Sequence, residues 1–173
     1  IGPGKGVFSA VMHRINPNIN IEWLIFDMDK SLEKPIDGSG AYPANLFSAY
    51  YGMIENPKYH INKKFDLIIM TEVMEHFVNN PIPTIKKIAN MLKEDGRLYL
   101  STPNWGHLSI YDDYKEIPDY TTRETYKENY VGHTFQYYEN ELKDILEQCG
   151  LVIEKYSLSD SRNHNLIARR RME

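Results

Sequence analysis

Two short and mostly apolar segments constrain the fold of this chain most strongly. Residues 21–26 are apolar on both faces except at Glu22, and residues 65–70 read Phe-Asp-Leu-Ile-Ile-Met. A strand that is apolar on both faces is typical of a parallel sheet covered by helices. Each run leads directly into a segment that contains acidic residues. The sequence therefore predicts two buried strands with acidic side chains at their ends.

Helical patterns separate the predicted strands. Residues 7–15 carry apolar side chains at helical spacing and are followed by a turn at Pro17. A second apolar stripe consists of Ile82, Ile85, Ile88, Met91 and Leu92. We expect Gly96 to end this second helix as a left-handed cap. A third helix is predicted over residues 140–149, with Gly150 as its C-terminal stop.

The remaining pattern predicts how the sheet is completed. Residues 98–100 follow the second helix as a strand, and residues 151–158 and 163–169 form two more strands joined by a short turn. The less regular region before residue 65 suggests a short helix over 44–49 and a strand over 50–54. The alternation of strands and helices predicts an α/β fold, a doubly wound and mostly parallel sheet with a C-terminal antiparallel hairpin.

Composition excludes several classes of protein. The chain has 173 residues, of which 42% are hydrophobic and 25% charged, which is ordinary for a soluble globular protein. A net charge of −4 gives no electrostatic reason to expect a nucleic-acid partner. The apolar runs are far shorter than a membrane span. A single cysteine, Cys149, excludes an internal disulfide and is expected to be a buried structural thiol, so a cytoplasmic location fits best.

A glycine-rich turn precedes the first predicted helix. Gly2, Gly4 and Gly6 allow a tight turn and a close approach of the backbone to an anionic ligand. Asp27 lies 21 residues beyond Gly6, at the end of the next strand, where a carboxylate can accept hydrogen bonds from both hydroxyls of a ribose. Asp29 takes this role if the register differs by two residues. The competing interpretation of Asp27 is a capping or turn aspartate.

Several motifs follow one another in a specific order. The glycines are spaced Gly-x-Gly-x-Gly, residues 65–76 read FDLIIMTEVMEH, residues 93–104 read KEDGRLYLSTPN, and residues 132–150 read GHTFQYYENELKDILEQCG. This order resembles class I S-adenosylmethionine-dependent methyltransferases. The resemblance implies a Rossmann-like fold and S-adenosylmethionine as cofactor, bound by the glycine loop and Asp27. It also implies methyl transfer to a small molecule.

The sequence departs from the family pattern at two places. An acidic residue that reads the adenine amino group would fall near Met53, so Glu55 is the candidate substitute, and the family's first strand is absent. We therefore expect residues 1–173 to be a single methyltransferase domain that is incomplete at its N-terminus. On this interpretation the 173 residues alone would neither fold nor bind cofactor, because the first strand belongs at the centre of the sheet.

Three roles compete for the residues that follow the strand at 65–70. Glu72, Glu75 and His76 would share one face if the chain turns helical at once, lining the cofactor pocket or supplying His76 as a general base. His133 is a second candidate for handling the acceptor proton. A resemblance to small-RNA terminal 2′-O-methyltransferases implies a third role, a metal ion on all four residues. Metal-free small-molecule enzymes carry similar patterns, and the absence of a basic patch argues against RNA, so we predict no metal.

An aromatic insertion over residues 105–135 is the candidate lid over the acceptor. Its aromatic residues are Trp105, Tyr111, Tyr114, Tyr120, Tyr126 and Tyr130. These rings stack on the acceptor if the segment is a lid, and cover the sheet edge if it is a surface excursion. The function predicted from the sequence is methylation of a hydroxyl on a sugar or other biosynthetic intermediate. The alternatives are a metal-dependent RNA 2′-O-methyltransferase and a non-catalytic partner subunit.

Overall fold

A computed structural model describes residues 1, 7–25, 48–104, 109–120, 132–159 and 162–171. The chain divides into two compact units, Ile1–Met53 and Ile54–Glu173. None of the helices in these described segments is both long enough and apolar enough to cross a bilayer.

The described residues of the first unit form one helix and a pair of parallel strands. Helix α1 spans Val7–Ile15, strand β1 spans Glu22–Ile25 and strand β2 spans Ser48–Tyr51, and Glu22 pairs with Ser48. Helix α1 and strand β1 confirm the predictions for this part of the chain. Strand β2 begins at Ser48, two residues before the strand predicted over 50–54. Residues 48 and 49 are therefore in a strand, and the helix expected over 44–49 is wrong for these two residues. Tyr50 and Tyr51 favour an extended conformation there.

The second unit contains a mixed sheet of four strands. Its elements are β3 (Phe65–Thr71), α2 (Pro81–Met91), β4 (Leu92–Pro103), α3 (Glu139–Gln148), β5 (Leu151–Ser159) and β6 (Asn163–Arg170). The strand order is β3-β4-β6-β5, in which β3 and β4 are parallel and β6 is antiparallel to both β4 and β5. The predicted C-terminal antiparallel hairpin is therefore confirmed, and the strand pairing agrees with the α/β class.

Helices α2 and α3 contact each other and pack on β4 and β5, respectively. Helix α2 begins where the side chain of Asn80 accepts a hydrogen bond from the Ile82 amide at 3.0 Å, directly before a proline at the first helical position. Apolar residues of both helices enter the core, namely Ile85, Ile88, Met91, Leu142, Ile145 and Leu146. Cys149 is buried, as predicted, and burial raises the pKa of its thiol to about 11.

Gly96 does not cap helix α2, contrary to the sequence prediction. The helix ends at Met91, and Gly96 lies inside β4, where the pairing with β3 shifts register between Phe65 and Leu67. A Cβ atom at Gly96 would lie 2.7 Å from the Phe65 carbonyl oxygen and 2.9 Å from the Lys93 amide nitrogen. Glycine is therefore needed here for a close approach of two backbones. The prediction that Gly150 ends the third helix is confirmed, since α3 ends at Gln148 and Gly150 has a φ of 72°.

Glu55 anchors the segment that precedes α2. Its carboxylate is buried, and Oε1 accepts hydrogen bonds from both the backbone amide and the side-chain amide of Asn79, each at 2.9 Å. Lys87 of α2 donates to the carbonyl oxygens of Ile54 at 2.8 Å and Asn56 at 2.6 Å. Burial raises the pKa of Glu55 to about 7, although the bonds from Asn79 oppose the shift.

We predict that Gly96→Ala destabilises the protein by about 1–3 kcal/mol, because the added methyl group overlaps backbone atoms that cannot move aside. Urea unfolding of the parent and the variant measures the difference. Glu94→Ala is the matched control in the same bulge, where the side chain is exposed and the expected change is within about 0.5 kcal/mol. Equal stabilities of Gly96→Ala and Glu94→Ala would contradict the close approach.

We predict a pH-dependent stability contribution from Glu55. Folding raises its pKa from 4.5 to about 7, so the unfolded chain releases this proton at a lower pH than the folded chain. The contribution of Glu55 to the free energy of unfolding therefore decreases as pH rises from about 4.5 to 7, by at most about 1.4 kcal/mol per pH unit.

Urea unfolding at several pH values in this window measures that slope. Glu55→Gln keeps an acceptor oxygen for Asn79 but cannot ionise, so its stability should fall less steeply with pH than that of the parent. Glu94→Gln, an exposed carboxylate, should follow the parent. Identical slopes for Glu55→Gln and the parent would refute the prediction.

Candidate active site

Three strand ends meet at one edge of the four-stranded sheet. Strands β3 and β4 are parallel, with Thr71 opposite Ser101, so their carboxyl ends lie together. Strand β6 runs in the opposite direction and begins at the same edge, with Asn163 opposite Pro103. Ligands of open α/β sheets bind outside the carboxyl ends of the parallel strands. We therefore expect a functional site at this edge.

Glu72 follows β3 directly and has an unusual backbone. Its φ is 53°, its amide donates to the Ser101 carbonyl at 3.0 Å, and its Oε1 accepts from Ser101 Oγ at 2.8 Å and Asn163 Nδ2 at 2.7 Å. A left-handed residue cannot begin a right-handed helix, and only Met74–His76 form a short 3-10 turn. The expected single helical face for Glu72, Glu75 and His76 is therefore wrong.

Glu75 is a buried carboxylate at the centre of the site, with 2% of its surface exposed. Its Oε2 accepts a hydrogen bond from Thr102 Oγ1 at 3.0 Å, and its carbonyl oxygen accepts one from the Thr134 amide at 2.7 Å. Burial, together with the negative charge of Glu72, raises the pKa of Glu75 to about 7, although hydrogen bonds from its own backbone amide and from Thr102 oppose the shift. Glu75 can therefore exchange a proton near neutral pH.

His76 and His133 lie beside Glu75. Nδ1 of His76 is 2.8 Å from the Gly132 carbonyl oxygen. Because a carbonyl only accepts, Nδ1 carries the proton in that bond, and Nε2 is the basic nitrogen of the neutral ring. Nε2 is 3.7 Å from Glu75 Oε1. The rings of His76 and His133 meet edge to face, with 4.7 Å between their centroids.

The structure thus brings together three of the four residues in the proposed metal set. Each of Glu75, His76 and His133 offers one ligand atom, and the three atoms lie within 4.8 Å of one another. Glu72 does not belong to this group, because Ser101 and Asn163 hold its carboxylate elsewhere. One buried carboxylate with two imidazoles can move a proton, orient a protonated ring, or bind a divalent cation.

The other predicted site residues are placed as follows. Five of them lie outside the described residues, namely Gly2, Gly4, Gly6, Asp27 and Asp29. Glu55 is described, and the bonds from Asn79 occupy its Oε1 within the second unit. Its contact with an adenine amino group stays a prediction.

Part of the aromatic insertion is described. Tyr114 is buried, donates a hydrogen bond to Asp144 of α3 at 2.7 Å and accepts one from Gln148 at 3.0 Å. It therefore packs on a helix and is not available to stack on an acceptor. Tyr120 is 41% exposed. Tyr111 is partly exposed. Residues 105–108 and 121–131, which include Trp105, Tyr126 and Tyr130, lie outside the described residues, so the lid stays a prediction.

Sequence reasoning assigned no role to four residues that shape the site. Ser101 and Thr102 lie within the Ser-Thr-Pro-Asn motif at the end of β4, so their hydroxyls after an apolar strand were an available signal. Gly132 binds His76 through its carbonyl oxygen, a contact that side-chain chemistry does not reveal. Asn163 is the first residue of β6, and only the antiparallel register places it beside Glu72.

Known structures share this architecture. The chain matches mitomycin 7-O-methyltransferase MmcR with a TM-score of 0.66 and 18% identity, over 98% of this chain and 47% of that one. It matches an S-adenosylmethionine-dependent methyltransferase from Clostridium acetobutylicum ATCC 824 with a TM-score of 0.63 and 16% identity, over 99% of this chain and 82% of that one. These likenesses establish the Rossmann-like fold of class I methyltransferases.

Sequence comparisons agree with the fold. Ubiquinone biosynthesis O-methyltransferase of Glaesserella parasuis serovar 5 (strain SH0165) is 52% identical over 42 residues, which are 24% of this chain and 17% of that protein. The chain thus spans about half the length of MmcR, and the match covers about a sixth of the curated relative. The family model for the methyltransferase domain matches residues 1–156. Because this match covers most of the sequence, the chain belongs to the methyltransferase domain family.

Proposed function

We propose that the protein transfers a methyl group from S-adenosylmethionine to a hydroxyl group of a small molecule, such as a sugar or another biosynthetic intermediate. The observation that carries the proposal is the convergence of Glu75, His76 and His133 at the carboxyl edge of the sheet. Membership of the methyltransferase domain family supports the reaction class. O-methyltransferases among the similar proteins support an oxygen acceptor.

The cofactor contacts follow from the sequence predictions. Gly2, Gly4 and Gly6 would approach it through the backbone, and Asp27, or Asp29 in its place, would accept hydrogen bonds from the ribose. Glu72 fits a positively charged ligand, since its carboxylate is exposed at the ligand-binding edge of the sheet. S-adenosylmethionine supplies an activated methyl group on a sulfonium. The protein's task is therefore to orient the acceptor oxygen and remove its proton.

His76 is well arranged to take that proton. Its Nδ1–H bond to Gly132 fixes the ring and leaves Nε2 as the basic nitrogen. Glu75 lies 3.7 Å from Nε2 and, when ionised, stabilises the ring after it gains a proton. His133 contacts the same ring and is the second candidate base. The buried Thr102 hydroxyl holds the Glu75 carboxylate in place.

Metal binding is a second candidate role for the same three side chains. The Nδ1–H bond of His76 to a backbone carbonyl is the outer contact that orients many metal-binding histidines, and Glu75 and His133 would complete three ligands. A bound divalent cation would lower the pKa of the acceptor hydroxyl. The net charge of −4 favours a small-molecule acceptor over RNA in this case as well.

We predict that Asp27→Ala weakens binding of S-adenosylmethionine about 10-fold to 100-fold, because a charge-assisted hydrogen bond is worth roughly 1.5–3 kcal/mol. Isothermal titration calorimetry of the full-length protein measures the change. Asp29→Ala is the control and should bind like the parent. The reverse result would assign the ribose to Asp29. A folded parent that binds no S-adenosylmethionine would instead support a non-catalytic partner subunit.

We predict that His76→Ala lowers methyl transfer about 100-fold to 10,000-fold, the usual contribution of a general base, without weakening cofactor binding. The assay follows isotope-labelled methyl groups from S-adenosylmethionine into a small-molecule extract. His133→Ala reports on the second candidate, and His60→Ala, an exposed histidine, is the control.

Treatment with a chelator separates the two candidate roles of the histidines. If His76 is a base without metal, the chelator leaves the rate unchanged. If the three residues bind a cation, the chelator abolishes transfer and added divalent cation restores it. Unchanged transfer in both His76→Ala and His133→Ala would reject this site as the reaction centre.

A further inference from the structure

Glu72 is held in a conformation that its residue type disfavours. Its φ of 53° makes it the one non-glycine residue with positive φ in the described part of the chain. A side chain in the left-handed region meets the following carbonyl, so such residues persist only where their surroundings hold them. They occur preferentially at ligand-binding and catalytic sites. The backbone at Glu72 therefore calls for a functional explanation as well as a structural one.

Two neighbouring strands fix the position of the Glu72 carboxylate. Ser101, at the end of β4, accepts from the Glu72 amide at 3.0 Å and donates through Oγ to Oε1 at 2.8 Å. Asn163, at the start of β6, donates through Nδ2 to the same Oε1 at 2.7 Å. These two donors match the two acceptor positions of Oε1. The described residues place no hydrogen-bond donor on Oε2.

This arrangement suits ligand binding better than packing. Glu72 is exposed, whereas Ser101 is buried, so the carboxylate projects from a rigid base and is not part of the core. A fixed carboxylate loses little side-chain entropy when it binds a ligand, because Ser101 and Asn163 have already ordered it. Its negative charge favours a cationic partner, and a hydrogen bond to Oε2 requires that partner to carry an N–H or O–H group.

We propose that Ser101 and Asn163 are positioning residues that hold Glu72 so that its Oε2 accepts a hydrogen bond from the ammonium group of S-adenosylmethionine. This inference rests on the proposed function, which supplies the cofactor. The sulfonium of the cofactor has no N–H or O–H group, and the ribose hydroxyls are assigned to Asp27. The ammonium is thus the cationic donor that matches Glu72.

Two ligands test the assignment by calorimetry with the full-length protein. S-adenosylhomocysteine retains the ammonium group, whereas 5′-methylthioadenosine retains the nucleoside and the sulfur but lacks the amino acid part. Glu72→Gln keeps an oxygen for Ser101 and Asn163 but removes the charge. We expect this variant to bind S-adenosylhomocysteine about 10-fold to 100-fold more weakly, and methylthioadenosine as the parent does.

Asn163→Ala tests the positioning role. It should weaken binding of S-adenosylhomocysteine in the parent background but have no further effect when combined with Glu72→Gln, because it acts through the Glu72 charge. Tyr99→Phe is the matched control, since it removes one side-chain bond between the same two strands, from Tyr99 to Asn165, and does not touch Glu72. If Asn163→Ala fails to fold, Asn163→Asp keeps the shape and places a repelling carboxylate beside Glu72.

Three results would overturn the proposal. These are unchanged binding of S-adenosylhomocysteine by the Glu72 and Asn163 variants, equal weakening for both ligands, and additive losses in the double variant. Additive losses would mean that Asn163 acts through general stability. A folded parent that binds neither ligand would reject the proposed function itself, so the two failures can be told apart.

Discussion

The buried carboxyl group of Glu75 joins parts of the chain that are far apart in sequence. Its Oε2 accepts from Thr102 of β4, its backbone carbonyl accepts from the Thr134 amide, and its Oε1 lies 3.7 Å from His76. The bond to the Thr134 amide keeps the neighbouring His133 close, and the Thr102 bond fixes the carboxylate. Without these contacts, burial of an acidic group would be strongly unfavourable. The candidate site therefore depends on the hydrogen bonds that the buried Glu75 makes.

Strand β4 provides the frame for these contacts because it lies between β3 and β6. Its parallel pairing with β3 places Ser101 beside the residue that follows β3, and its antiparallel pairing with β6 returns Asn163 to the same edge. The change of strand direction thus gives the site a residue from the C-terminal hairpin. A fully parallel sheet would place the start of that strand at the opposite edge.

Local sequence patterns predicted the strands and helices well, because their signals lie within a few residues. The α2 stripe and the C-terminal hairpin are examples. The glutamates and histidines were identified as candidates by residue type, by the position of Glu72, Glu75 and His76 after a strand, and by the family resemblance. The patterns failed where distant contacts decide. Gly96 suggested a helix cap, but the requirement for glycine comes from the Phe65 carbonyl. Glu72 suggested a helical face, but bonds from Ser101 and Asn163 hold it in a left-handed conformation.

Both candidate roles of the histidines place a positive charge beside Nε2 of His76 and the carboxylate of Glu75. With Nδ1 of His76 bonded to Gly132, Nε2 of the neutral ring and Oε1 of an ionised Glu75 are both acceptors, and they lie 3.7 Å apart. Two acceptors at this separation repel each other unless a positive species lies on or between them. A proton provides it in general base catalysis, because the protonated ring pairs with Glu75. A divalent cation provides it in metal binding. Under the proposed function, this geometry would favour the product of acceptor deprotonation in either case.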